Sequence, residues 1–137
     1  MTIEESLKLY NSCFFLELEG TELLKLYTPQ YLSTICNGIG AEWMGGKFRW
    51  ILGKFFPYFE EAAYIHDLEF SIGGTFEDFK KANERFGRNV KKTASKKIPW
   101  YLFVREIIVC LEADKAVELL NIGGMFAYNF KSKDERQ

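Results

Sequence analysis

Glu60-Glu61-Ala62-Ala63-Tyr64-Ile65-His66-Asp67-Leu68-Glu69-Phe70-Ser71-Ile72-Gly73-Gly74 holds the only histidine of the chain, beside an acid. Pro57 suits the first position of a helix, and the spacing predicts one running to about Ile72. Phe59, Ala62, Ala63, His66 and Phe70 recur at the intervals that share one helical face. Gly73-Gly74 then stops it. With one imidazole in the chain, any chemistry that needs one belongs to this segment.

Working outward, Thr75 is placed to cap a second helix, with Asp78 three residues on as its capping-box partner. Its expected inward stripe is Phe76, Phe79, Ala82, Asn83, Phe86 and Val90. A break as short as Gly73-Gly74-Thr75 makes the two helices pack antiparallel. His66 lies eight residues before Gly74 and Asn83 nine after it, so the two face each other. A buried Asn needs a partner, and an imidazole nitrogen suits its carbonyl. Asp67 points about 100° away from His66 around the helix, toward a different neighbour. Upstream, Cys36-Asn37-Gly38-Ile39-Gly40 reads as a loop, because Asn-Gly is turn chemistry and glycines let carbonyls turn inward. A carboxylate beside inward carbonyls is hard-oxygen chemistry of the kind that holds calcium.

The flanks are helical too. Thr2 is a natural N-cap for a helix carrying Leu7, Tyr10, Phe14 and Leu18, ending at Gly20. A short helix follows from Thr21 to Leu26, and Pro29 opens another turn. Lys47 to Phe56 is aromatic and basic. The second hairpin helix is expected to fade at Lys92-Thr93-Ala94-Ser95-Lys96-Lys97, and Pro99 to open a last helix from Trp100 to about Leu120. Phe126 to Phe130 could pair weakly as a strand. The expected fold class is mainly α: one all-α domain over residues 1–130, built on an antiparallel helical hairpin with flanking helices and a preceding Gly-rich loop. Residues 131–137 form a charged flexible tail.

Composition narrows the functional classes. Net charge is −1, so no nucleic-acid partner is expected. Charge is uneven, however: Glu77 to Lys97 holds eight Lys/Arg against three acids, and Met1 to Gln30 holds five Glu against two Lys. A basic strip can face anionic lipid or phosphate, or simply solvent. Cys13, Cys36 and Cys110 have no metal-ligand spacing and read as free thiols. No basic region followed by an apolar run opens the chain. The longest apolar stretch, Ile98 to Leu111, is too short to span a bilayer and carries Arg105-Glu106. Cytoplasmic residence after synthesis is expected.

These residues resemble the phospholipase A2 superfamily over roughly Cys36 to Val90, and are nearest its small, cystine-free, phage- and virus-encoded branch. There a Gly-rich loop gives backbone carbonyls to calcium, and a helix with a His-Asp pair follows. Cys36-Asn37-Gly38-Ile39-Gly40 is similar to the loop. Ala62-Ala63-Tyr64-Ile65-His66-Asp67-Leu68-Glu69-Phe70 is similar to the helix, with Ala-Ala for Cys-Cys and Phe70 for Tyr. Ala82-Asn83-Glu84-Arg85-Phe86 is similar to the segment whose acid holds the histidine, with Asn83 in the acid's place. The resemblance implies calcium-dependent hydrolysis of a phospholipid ester at a membrane surface, with His66 as general base and Asn83 holding its ring. Asp67 and the carbonyls of Asn37, Gly38 and Gly40 would be the calcium ligands. Asn83 supplies no negative charge, which implies weak activity. The alternative is a catalytically impaired phage-type or virion-associated scaffold, or an interaction protein that kept the fold. A Cys36 nucleophile with His66 as base is a further alternative. A His-Asp metal phosphohydrolase is excluded by the lack of further histidines. Lipid contact would fall to Trp43, Phe48, Trp50, Phe55 and Phe56, with Lys47, Arg49 and Lys54 among them; those aromatics equally suit a core.

Overall fold

Why the chain folds as it does is clearest at the tightest turn. The computed structural model describes residues 1–36, 56–126 and 128–130. Among these it contains six α-helices: α1 (Ile3–Phe15), α2 (Thr21–Leu24), α3 (Pro29–Ile35), α4 (Glu60–Ile72), α5 (Phe76–Lys97) and α6 (Phe103–Gly123). Short 3-10 turns span Phe56–Tyr58, Trp100–Leu102 and Gly124–Phe126. The fold class is mainly α, as expected.

Helix α4 stops at Gly73, whose φ of 73° lies in the left-handed region that favours glycine. Gly74 follows at φ 151°, and Thr75 then caps α5 through a complete capping box with Asp78. The reversal is antiparallel, as side-chain pairs across it record. Phe70 meets Phe79 near the turn, with ring centroids 5.8 Å apart, and Glu61 meets Lys97 at 2.7 Å at the far end.

Helix α4 is the centre of the molecule, because it is buried on two sides. Phe59, Ala62 and Ala63 join Phe86, Val90 and Ala94 of α5 and Val109, Ala113, Ala116 and Leu120 of α6 in one core cluster. Tyr64, Ile65 and Leu68 join a second cluster with Cys13, Leu24, Leu32 and Cys36 from the α1–α3 layer. The sequence pattern places only the first of these faces inward. A helix apolar nearly all round is one packed between layers.

Part of the basic strip of α5 closes on the end of α1. That helix ends at Phe15, short of Gly20, and Glu17 takes a positive φ of 54°. Lys96 donates to the Leu16 carbonyl at 2.6 Å, and Lys92 donates to that of Glu17. Arg88 grips the Glu19 carboxylate with two bonds, and Asn89 exchanges both of its amide bonds with the Glu19 backbone. Cations against the carbonyl end of a helix are also favoured by its dipole.

Several boundaries differ from expectation for local reasons. Pro57 sits in a 3-10 turn, so α4 begins at Glu60, while α2 closes at Leu24. Helix α5 continues unbroken through Lys92 to Lys97, because Thr93 and Ala94 are buried and hold it. Phe76 is exposed rather than part of the inward stripe. Pro99 opens a 3-10 turn, and α6 starts only at Phe103. The pairing expected near Phe126 to Phe130 is a single bridge between Gly74 and Phe130. Among the described residues no helix is long and apolar enough to cross a membrane.

A Cβ at Gly73 would land on the Asn129 carbonyl oxygen, in a backbone conformation that L-residues avoid. Gly73→Ala is expected to cost more than about 2 kcal/mol, read as a lower urea midpoint with unchanged slope.

Candidate active site

The hairpin register places His66 and Asn83 side by side: Nε2 of the ring and Oδ1 of the amide are 2.9 Å apart. Both are buried, Asn83 completely. The Asn83 amide is itself fixed from a third helix, since its Nδ2 donates to Asn121 Oδ1 at 2.8 Å. An amide that gives its N–H to Asn121 presents its oxygen to the ring. Nε2 of His66 therefore carries the proton and Nδ1 carries the lone pair. Aromatic rings close the sides, with Phe70 at 4.0 Å and Phe86 at 5.1 Å between centroids. The Phe70 ring in turn packs against Phe79 and edge-on against Tyr128.

Asn121 was not singled out in the sequence. It reads there as part of a helix end, and only α6 folding back across the hairpin brings it to Asn83. Its one legible signal is an amide within the apolar run Leu119-Leu120-Asn121-Ile122.

This enclosure sets the electrostatics. Burial pushes His66 from the ordinary 6.5 down to about 4, and the Asn83 hydrogen bond offsets only part of that. The ring is neutral at pH 7, and its proton-accepting nitrogen is weakly basic. A carboxylate at position 83 would hold the imidazolium; an amide adds no charge.

Asp67 has a separate surrounding, as its angle around the helix requires. It is half-buried, and its charge adds to the burial that raises the Cys36 thiol to about 12. Asp67 therefore stands on the side of α4 toward the end of α3, where the chain enters the Gly-rich segment. Asn37, Gly38 and Gly40 lie outside the described residues, as do Trp43, Phe48, Trp50 and Phe55 with Lys47, Arg49 and Lys54, and nothing is assigned to the Phe56 side chain. Among the described residues no group of three or more His, Cys, Asp or Glu is gathered as a metal would need.

The Cys36 nucleophile is a correction. Its Sγ is buried and donates to the Tyr64 carbonyl at 3.4 Å, its thiol is held far from ionisation, and His66 is engaged with Asn83 instead. The cysteines of the chain are free thiols, Cys13 and Cys36 buried and Cys110 partly so.

One turn beyond His66, Glu69 pairs with Arg85 beside a cleft of about 270 Å³. Burial raises Glu69 to about 7 against the pull of Arg85. Glu69 Oε2 and Arg85 Nε are buried without a hydrogen-bond partner among the described residues.

Comparison with protein-family models, with curated proteins and with solved structures finds no match.

His66 and Glu69 act on stability with opposite signs. Folded His66 resists a proton that the unfolded chain accepts, so its contribution is full above pH 6.5 and is lost as pH falls toward 4. The loss amounts to about 3 kcal/mol. Folded Glu69 takes up a proton before its unfolded counterpart, so acidification from about 7 to 4.5 favours the folded state. In urea titrations across this range, Glu69→Gln is expected to steepen the acid loss and His66→Leu to flatten it.

Proposed function

We propose that the protein is a phospholipase A2-like ester hydrolase of low turnover, acting on phospholipid at a membrane surface. The observation that carries this reading is the Nε2–Asn83 bond, which holds one nitrogen of the only histidine and leaves Nδ1 to take a proton. His66 Nδ1 removes a proton from water as that water attacks the ester carbonyl. Asn83, braced by Asn121, keeps the ring in the required tautomer and orientation. The rings of Phe70 and Phe86 exclude other water from its flanks.

The donor chemistry is compatible with a hard cation. Asp67 supplies a half-buried carboxylate where the chain leaves α3 for the Asn37 to Gly40 segment. Asp67 with the carbonyls of Asn37, Gly38 and Gly40 would hold calcium. The bound ion would polarise the ester carbonyl and stabilise the oxyanion.

A second reading, an impaired scaffold that kept the hairpin, draws on one specific observation. A base pushed down to about 4 and held by an uncharged amide is a poor proton acceptor at neutral pH.

Release of fatty acid from mixed-chain phosphatidylcholine/phosphatidylglycerol vesicles, with calcium and with chelator, tests both. Slow calcium-dependent release is expected, abolished in His66→Ala and raised at least roughly tenfold in Asn83→Asp, where a carboxylate stabilises the imidazolium. Release that survives His66→Ala defeats the hydrolase reading. Silence in both wild type and Asn83→Asp establishes the impaired scaffold.

A further inference from the structure

The cleft beside Glu69 and Arg85 is lined from α2, α4, α5 and the segment after α6, and His66 is not part of its wall. Its volume of about 270 Å³ is several times the roughly 30 Å³ share of one water, and just under the roughly 300–1,000 Å³ of sites for drug-sized ligands. It has room for a small molecule. Charge of both signs is left unspent on its walls. The Glu22 carboxylate of α2 has no hydrogen-bond or ion-pair partner among the described residues. On α5, Lys81 pairs only with Glu77 among them, 3.6 Å away and with both side chains largely in solvent, a pairing that holds little. The Glu69–Arg85 pair on the same wall is half made. One carboxylate oxygen takes Arg85 Nη1, while Glu69 Oε2 and Arg85 Nε, an acceptor and a donor, are buried without partners among the described residues. Buried polar groups are normally satisfied. Much of the remaining wall is apolar, with Leu23, Ile72 and the ring of Tyr128, which Phe70 and Phe79 hold by edge-on contacts.

We propose that this cleft binds a small zwitterion, with an ammonium group toward Glu22 and Glu69 and an anionic oxygen group toward Lys81 and Arg85. A simple anion would meet the two carboxylates, and a simple cation the two basic groups. A neutral guest would strip water from all four charges and return nothing. A zwitterion meets each sign with its opposite, and charge-assisted hydrogen bonds are roughly twice as strong as neutral ones. An ammonium also suits an aromatic wall such as Tyr128, and an apolar remainder suits Leu23 and Ile72. A free α-amino acid and the headgroup of a zwitterionic phospholipid share this chemistry. The site is separate from His66 and does not rest on the hydrolase reading. Glu69 reports its occupancy. Burial raises Glu69 to about 7, with Glu22 and Glu19 adding to the rise and Arg85 opposing it. Glu19 is itself held by Arg88, and Asp78 on the cleft wall is bonded to Thr75. An ammonium beside Glu69 favours its carboxylate, so binding at pH 7 expels part of a proton and tightens as pH rises through 7.

Titration calorimetry of the full chain at pH 7 tests it, with L-leucine and phosphocholine as the zwitterions and inorganic phosphate and methylammonium as the simple ions. At least one zwitterion is expected to bind with a Kd of about 1 mM or tighter, and each simple ion at least roughly tenfold more weakly. The tighter zwitterion names the source, amino acid or lipid headgroup. Glu22→Gln and Lys81→Gln, both at exposed positions, are each expected to weaken binding at least threefold with far-ultraviolet circular dichroism unchanged. In wild type the heat is expected to vary with the ionisation enthalpy of the buffer, and Glu69→Gln to remove that dependence. Binding of neither zwitterion overturns the proposal, as does equal binding of a simple ion. Binding indifferent to both Glu22→Gln and Lys81→Gln overturns it too, because the guest then sits elsewhere.

Discussion

A single polar chain through three helices, His66 to Asn83 to Asn121, constrains the rest of the structure. Each link is buried or nearly so, and a buried amide or imidazole without its partner costs about 1–3 kcal/mol. Sliding α5 along α4 by one turn would strand Asn83, and rotating α6 would strand Asn121. The apolar contacts around them tolerate many registers, since Ala62, Ala63, Ala82 and Ala94 pack without directional demands. Polar satisfaction selects one register among them. The same chain that fixes the packing also fixes the ring, so the proposed base is oriented by the core itself.

How much of this was legible in the sequence depends on how local the cause is. Gly73-Gly74-Thr75-Phe76-Glu77-Asp78 contains its own turn and cap, and the hairpin followed from it. The facing of His66 and Asn83 is arithmetic on that turn. Asn121 was not legible, because its partner is 38 residues away and joins it only through the crossing of α6. The continuation of α5 to Lys97 was hidden for a similar reason. Its lysine-rich end looks like a fading helix until the carbonyls of Leu16 and Glu17 are there to receive it. Phe76 fell out of the inward stripe because a first-turn residue meets the turn rather than the neighbouring helix. The exposed arc of α6 (Phe103, Val104, Ile107, Ile108 and Leu111) was masked by its own hydrophobicity, since periodicity cannot separate one buried face from two.

The site itself divides along the same line. His66 and Asn83 belong to the hairpin and could be derived from it. Asp67 acquires meaning only from what lies beside it, and the described neighbour, Cys36, places it toward the Gly-rich segment without completing a ligand set. Chemically, the central tension is between enclosure and basicity. The aromatic rings that exclude water from His66 are also what lowers its affinity for protons.

The last described residues add a mechanical property to this picture. Gly74 donates to the Asn129 carbonyl at 3.0 Å, Asn129 donates to the Phe70 carbonyl at 3.3 Å, and its side chain reaches Ser71 at 3.2 Å. The segment after α6 is thus sewn across the hairpin apex. Lifting of this segment and opening of the apex are coupled, so the Gly74 amide proton exchanges when the segment lifts, while that of Gly73, donated to the Glu69 carbonyl, stays with α4. A force applied near residue 130 is delivered to the hinge four residues from Phe70, on the same helix as His66.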